Sequence, residues 1–179
     1  MTNKSLAFVF PGQGSQKVGM LADLASQHPI IEQTFDEASE ALAYNIWDLV
    51  QNGEQEQLNL TERTQPLLLT ASVALWRVWE QLGGARPAVL AGHSLGEFSA
   101  LVCADSLAFT DAVVLVRDRG QFMQTAVPVG EGAMAAVLGL ENQRIAEICT
   151  EASNLGVVEA VNFNSPGQVV IAGKVAAVE

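Results

Sequence analysis

Residues 88–102 limit what this 179-residue chain can fold into more than any other stretch. The apolar run Ala88-Val89-Leu90-Ala91 leads into Gly92-His93-Ser94-Leu95-Gly96, and Phe98-Ser99-Ala100-Leu101-Val102 follows at once. A short apolar run, a break bounded by glycines and a second apolar run read as strand, sharp turn and helix. The central residue of such a turn takes strained backbone angles, and its neighbours must be glycine so that strand and helix can approach without side-chain clashes. The pattern G-x-S-x-G therefore predicts that Ser94 stands alone at the top of a sheet. The N–H of Leu95, among those that open the following helix, lies beside it and can hold the negative oxygen formed when an acyl carbonyl is attacked. The chemistry implied is acyl transfer through a serine ester.

A second signal opens the chain. Leu6-Ala7-Phe8-Val9-Phe10 has the pattern of a buried strand and breaks into Pro11-Gly12-Gln13-Gly14-Ser15-Gln16, where two glycines leave the backbone N–H of Gln13 accessible. An oxyanion hole takes one donor from the residue after the nucleophile and one from another strand's loop, and Gln13 is the candidate for the second. A phosphate-binding loop is the rival for a glycine-rich turn after a strand. The pattern G-x-x-x-x-G-K-[ST] is absent, however, and the first glycines do not fit G-x-G-x-x-G.

A serine hydroxyl needs a base, most often histidine, and only His28 and His93 exist. Alternating side-chain directions aim His93 away from the face of Ser94, and His28, before Pro29, reads as a surface residue. Neither is assigned as the base. In the helix expected after Thr110, Leu115, Arg119, Phe122, Met123 and Ala126 share an apolar stripe, whereas Arg117 falls with Gln121 and Gln124 on the wetter face. A guanidinium on an apolar stripe needs an anion, either a structural partner such as Glu97 or an acidic ligand. Gln65, before Pro66, is a further pocket candidate. Asn162 and Asn164 shape the loop before a turn or touch the acyl chain.

A formal charge of −11 argues against nucleic acid as a partner. No apolar run is long enough to span a membrane, and the first apolar stretch is too short for a leader, so the chain is expected to be cytoplasmic. Cys103 and Cys149 have no metal or redox spacing and lie on apolar helical stripes, as core thiols do; no metal site is expected. Trp47, Trp76 and Trp79 read as core.

Helical patterns alternate with short apolar strands, which predicts an α/β protein with a parallel-sheet core. Helices are expected over Pro29–Leu42, about Gln65–Leu82 with Leu68, Ala71, Leu75, Val78, Trp79 and Leu82 as its apolar face, and Thr110 to about Ala126 with Thr110 as cap. Beyond Gly130 the expected order is strand 133–140, helix 141–152, strand 157–163, the turn Asn164-Ser165-Pro166-Gly167 and strand 168–172. That is the first part of a split βαβ unit. Two domains follow, 1–128 and 129–179, hinged at Pro128 and Gly130, the second incomplete.

F-V-F-P-G-Q-G-S-Q (Phe8–Gln16), G-H-S-L-G-E (Gly92–Glu97) and V-N-F-N-S-P-G-Q-V-V-I-A-G (Val161–Gly173) together resemble the malonyl-CoA:acyl carrier protein transacylases of bacterial fatty acid synthesis, and the related acyltransferase domains of polyketide and multifunctional fatty acid synthases. The resemblance implies an α/β-hydrolase-like core with an inserted ferredoxin-like subdomain. It also implies ping-pong transfer of malonyl from coenzyme A to Ser94 and on to the phosphopantetheine thiol of the acyl carrier protein. It assigns Arg119, in V-R-D-R-G, to the malonyl carboxylate, held in a two-bond fork. It puts the histidine base beyond Glu179, so that residues 1–179 would be an N-terminal part, inactive alone. No permanently bound cofactor and a monomer are expected. An acidic carrier should meet a basic patch, which the nine Lys and Arg do not reveal. A polyketide synthase domain, a serine esterase or thioesterase on the same core, and a non-catalytic module remain as alternatives. Arg119 separates the transferase from the lipase-like pocket, which has no use for a buried cation.

Overall fold

The computed structural model of the chain describes residues 2–128 and 130–179. They form two units, one ending at Gln124 and the other running Thr125–Glu179. The expected division at 128/129 involves Val129, which lies outside the described residues.

In the first unit, β1 (Thr2–Phe10) pairs in parallel with β2 (Arg86–Gly92), Phe8 opposite Leu90 and Phe10 opposite Gly92. Parallel neighbours need a crossover. Here it is built from α1 (Ala22–Ala25), α2 (Ile30–Leu42), α3 (Ile46–Asn52), α4 (Gln55–Leu58) and α5 (Thr61–Gln81). After β2 come α6 (Leu95–Cys103) and α7 (Phe109–Thr125). The class is mixed α/β with a parallel sheet, as the alternation of apolar patterns predicts. One face of the strand pair is covered, with Phe8 packed edge-on to Trp76 and Trp79 at ring-centre distances of 5.5 and 5.3 Å. Each such pair adds about 1 kcal/mol beyond the area it buries. Val9 and Val89 on the strands are 80% and 57% exposed.

Helix α5 begins a turn earlier than its periodicity predicts and carries Pro66 inside it. Its residues Thr64–Ala71, Val73 and Ala74 are all buried, so it is a central helix wrapped by neighbours rather than an amphipathic one. Leu75 and Leu82, expected on its core face, are 42% and 68% exposed. Burial of this extent offsets the roughly 3 kcal/mol that an interior proline costs.

Helix α7 also departs from expectation. It starts at Phe109, its first turn closed by the Ala112 N–H on the Ala108 carbonyl at 2.9 Å, so Thr110 is inside the helix and not its cap. Its buried face is Phe109, Ala112, Val113, Val116 and Gly120. The bulkier stripe of Leu115, Phe122 and Met123 is 47%, 72% and 50% exposed. Both stripes are apolar, and close helix approach selects the one with small residues: a Cβ on Gly120 would lie 2.6 Å from the Thr61 carbonyl oxygen. That approach sets Arg119 beside the second turn of α5.

The second unit is a three-stranded antiparallel sheet in the order β3-β5-β4, formed by β3 (Gly132–Leu138), β4 (Val158–Ser165) and β5 (Gln168–Lys174). Helix α8 (Asn142–Ala152) joins β3 to β4, and the short α9 (Val175–Val178) follows β5. Ile145, Cys149, Val158, Val169, Ile171 and Ala177 form its core. Asn162 falls in strand as expected, but so do Asn164 and Ser165, expected in the turn: β4 runs on to Ser165, taking up extra residues at two register shifts, and only Pro166 and Gly167 turn.

The close packing that makes the elbow is steric. A Cβ at Gly92 would overlap the Gly96 carbonyl carbon, and one at Gly96 would overlap the Phe10 carbonyl oxygen, so the end of β2, the first turn of α6 and the end of β1 touch through backbone alone. Gly92→Ala is expected to lower unfolding free energy by about 3 kcal/mol or more, since backbone cannot step aside as a side chain does. An unchanged midpoint in denaturant would show that strand and helix do not need this approach.

Cys103 is 2% exposed at the end of α6. Burial, with Glu80 and Asp105 nearby adding to it, pushes its thiol from the ordinary 9.0 up to about 12. The unfolded thiol loses its proton first, so folded-state stability is expected to decline as pH rises from about 9 toward 12. Denaturant titrations of the protein and of Cys103→Ala, compared at pH 7 and 10.5, should show a smaller pH-dependent loss in the variant.

Candidate active site

Ser94 has φ 54° and ψ −112°, a conformation that side chains rarely adopt, and it is exposed. The glycine packing around it holds that geometry, and strain of this kind is commonly about 1–3 kcal/mol. Helix α6 begins at Leu95. The Gly96 N–H donates to the His93 carbonyl at 2.9 Å and the Glu97 N–H to the Ser94 carbonyl at 3.2 Å. As the first helical residue, Leu95 has no i−4 carbonyl within the helix for its N–H, and the positive end of the helix dipole lies here. Leu95 is buried at 1% exposure, so it anchors the turn.

The loop after β1 lies against this turn: a Cβ on Gly12 would be 3.4 Å from the His93 carbonyl oxygen and 3.8 Å from His93 Nδ1. Gln13, next in the loop, is exposed. A set of side-chain amides, which sequence reasoning missed, fixes the loop's far side. Gln16 Oε1 accepts from the Gly14 N–H at 2.9 Å, and Gln16 Nε2 donates to Asn59 Oδ1 at 3.0 Å. Gln55 donates to the same Asn59 oxygen at 3.0 Å and to the Gln16 carbonyl at 3.3 Å, while its own Oε1 accepts from the Val18 N–H at 3.2 Å. Only the spacing Gln55…Asn59, one helical turn apart, could have hinted at it.

Arg119 is half-buried and directed at Ser94. Its Nη2 donates to Ser94 Oγ at 3.0 Å, its Nη1 donates to Gln65 Oε1 at 2.6 Å, and its guanidinium carbon lies 5.6 Å from the centre of the Phe98 ring. Gln65 itself is fully buried, and its Nε2 lies 3.3 Å from Met123 Sδ. Glu97 does not pair with Arg119; among the described residues no carboxylate does. Arg117, the neighbouring alternative, is held by Asp118 at 2.7 Å.

The structure thus gathers Ser94, Leu95, Gln65 and Arg119 within the first unit, with the Gln13 loop against the elbow. His93 is exposed on the Gly12 side of the turn, and His28 lies between α1 and α2. Asn162 and Asn164 belong to β4 of the second unit.

Comparison with known proteins gives the family and the fold. The family model described as acyl transferase domain matches residues 7–179. The malonyl CoA-acyl carrier protein transacylase of Escherichia coli K12 is 65% identical over 173 residues, covering 97% of this chain and 56% of that protein. The solved transacylase of Xanthomonas oryzae superposes with a TM-score of 0.95 at 59% identity, covering 99% of this chain and 57% of that one. A malonyl-transacylase solved in complex with its type II PKS acyl-carrier protein gives 0.92 at 59%, covering 96% and 56%. The chain therefore spans a little over half the length of the curated relatives it matches. A strained serine at a glycine-bounded strand–helix turn, with helical N–H groups beside it, is what an acyl-transferring site requires, and the match along nearly the whole sequence says the same: this chain belongs to the acyl transferase domain family.

Proposed function

We propose that Ser94 accepts a malonyl group from malonyl-CoA and passes it to the phosphopantetheine thiol of an acyl carrier protein, with Arg119 as receptor for the malonyl carboxylate. The observation that carries this reading is the 3.0 Å hydrogen bond to Ser94 Oγ from a guanidinium that has no carboxylate partner among the described residues. In a malonyl group the carboxylate carbon is two bonds from the carbonyl carbon. A cation that reads it must therefore stand within a few ångströms of the nucleophile, as Arg119 does. Longer diacids would not match that spacing, and a neutral acyl group would leave the cation without its anion.

Ser94 Oγ attacks the thioester carbonyl while a base takes its proton. The oxyanion forms against the Leu95 N–H, joined by that of Gln13, and collapse breaks the C–S bond to release coenzyme A. The carrier thiol then attacks the Ser94 ester and the hydroxyl is restored. We assign the base to neither His28 nor His93, and expect residues 1–179 alone not to turn over. The names of the relatives, transacylases acting with an acyl carrier protein, support the choice of donor and acceptor. We further propose a cytoplasmic monomer without a resident cofactor; among the described residues no helix is long and apolar enough to cross a membrane. Cell fractionation of the intact enzyme checks the location, and sedimentation the monomer.

Brief exposure of the intact enzyme to malonyl-CoA should add one malonyl to the Ser94 peptide, and Ser94→Ala should abolish it. An adduct on Ser15 or Ser99 overturns the assignment, as would steady transfer by residues 1–179 free of longer enzyme. Release of malonate to water at the transfer rate would make the protein a hydrolase.

Arg119→Ala in the intact enzyme should lower kcat/KM for malonyl-CoA by up to ~10⁴-fold, with acetyl-CoA gaining relative to it, because a site built around one charged group discriminates on this scale. Equal losses for both substrates would instead make Arg119 structural.

A further inference from the structure

Arg77, Arg86, Arg117 and Arg144 each pair with a carboxylate, and Arg63 lies 4.1 Å from the centre of the Tyr44 ring. Arg119 differs. In a chain with 20 Asp and Glu against nine Lys and Arg, its hydrogen-bond partners are the hydroxyl of Ser94 and the amide oxygen of Gln65, both uncharged. Gln65 is the only buried polar side chain on α5 that is not a threonine, set in the run Gln65-Pro66-Leu67-Leu68-Leu69. A buried amide is costly unless it is hydrogen-bonded. Its bond to Arg119, at 2.6 Å, is shorter than an ordinary N–H···O contact.

We propose that Gln65 is a positioning residue that aims the Arg119 guanidinium without neutralising it, and that its lack of charge is what leaves Arg119 free to select a carboxylate-bearing acyl group. The proposal rests on the malonyl reading above. The amide orientation is fixed from both sides. Turned over, its NH₂ would face a guanidinium that has only donors, and its oxygen would face the Met123 sulfur. With Nη1 held by Gln65, the guanidinium plane cannot swing away from Ser94, yet N–H donors remain for an incoming carboxylate. A glutamate at 65 would hold the same atom equally well. It would also place a negative charge where the acyl carboxylate needs a positive field, satisfying the arginine internally. A residue of similar size with only a weak sulfur acceptor, such as methionine, would keep the packing and loosen the aim. The neutral amide is the one choice of this size that does both tasks.

The test uses the intact enzyme and compares malonyl-CoA with acetyl-CoA in Gln65→Glu, Gln65→Met, Arg119→Ala and the double variant Gln65→Glu/Arg119→Ala, with folding checked by thermal unfolding. Gln65→Glu is expected to lower kcat/KM for malonyl by about 100-fold while acetyl changes by less than about threefold. Gln65→Met should raise the malonyl KM about tenfold and lower the preference for malonyl over acetyl by a similar factor. In the Arg119→Ala background, adding Gln65→Glu should cost no further malonyl selectivity, since the residue acts through the arginine. If Gln65→Glu fails to fold, Gln65→Met decides. Parallel losses for malonyl and acetyl, or unchanged malonyl kinetics in both Gln65 variants, overturn the proposal. An unchanged malonyl-to-acetyl ratio in Arg119→Ala overturns the reading beneath it as well, so the two failures are distinguishable.

Discussion

Three stretches of backbone meet where β1, β2 and the first turn of α6 touch, and only hydrogen atoms fit between them. Gly92 faces Gly96, and Gly96 faces the Phe10 carbonyl. From that contact the rest of the site follows. The chain can leave β2 and enter α6 within a few residues only if Ser94 takes a positive φ, and the strain stored there is offset by the packing of Leu95 and the paired strands. Because the same contact presses the end of β1 against the elbow, the loop carrying Gln13 is brought against the Ser94 turn by the sheet rather than by a flexible excursion.

Much of this was legible in the sequence, because local rules govern it. Tight turns demand glycine at fixed offsets, apolar runs of five residues make strands, and both are properties of neighbouring residues. What reads poorly is pairing across elements. Gln65 and Arg119 are 54 positions apart, on α5 and α7, and nothing in either segment announces the other. The apolar face of α7 was misread for a related reason. Helical periodicity marks two stripes, and the choice between Val113-Gly120 and Leu115-Phe122 depends on how near α5 can come, a quantity set by the partner helix. Asn164 shows a third limit. Asn-Ser-Pro-Gly carries turn chemistry, but β5 pairs with β4 past this asparagine and leaves only Pro166 and Gly167 to turn.

The division of labour among charges follows the same logic. Most of the chain's arginines are committed to carboxylates on the surface, where such pairs contribute about 0–1 kcal/mol each. The arginine beside Ser94 instead has neutral hydrogen-bond partners, Ser94 and Gln65. A chain this acidic could easily have supplied a carboxylate, which makes the neutrality of that corner a property of where α5 and α7 place their polar side chains.

The amides that hold the loop after β1 have a consequence of their own. Gln16, Asn59 and Gln55 fasten it through carboxamide oxygens and nitrogens and backbone groups, none of which gains or loses a proton in the range where proteins remain folded. A fastening made of Asp and Lys would loosen at one end of the pH scale and be weakened by salt. This one does neither. The fastening of the loop beside the Ser94 turn is thus silent to acidity and ionic strength, leaving any response to them to the ionisable groups elsewhere in the protein.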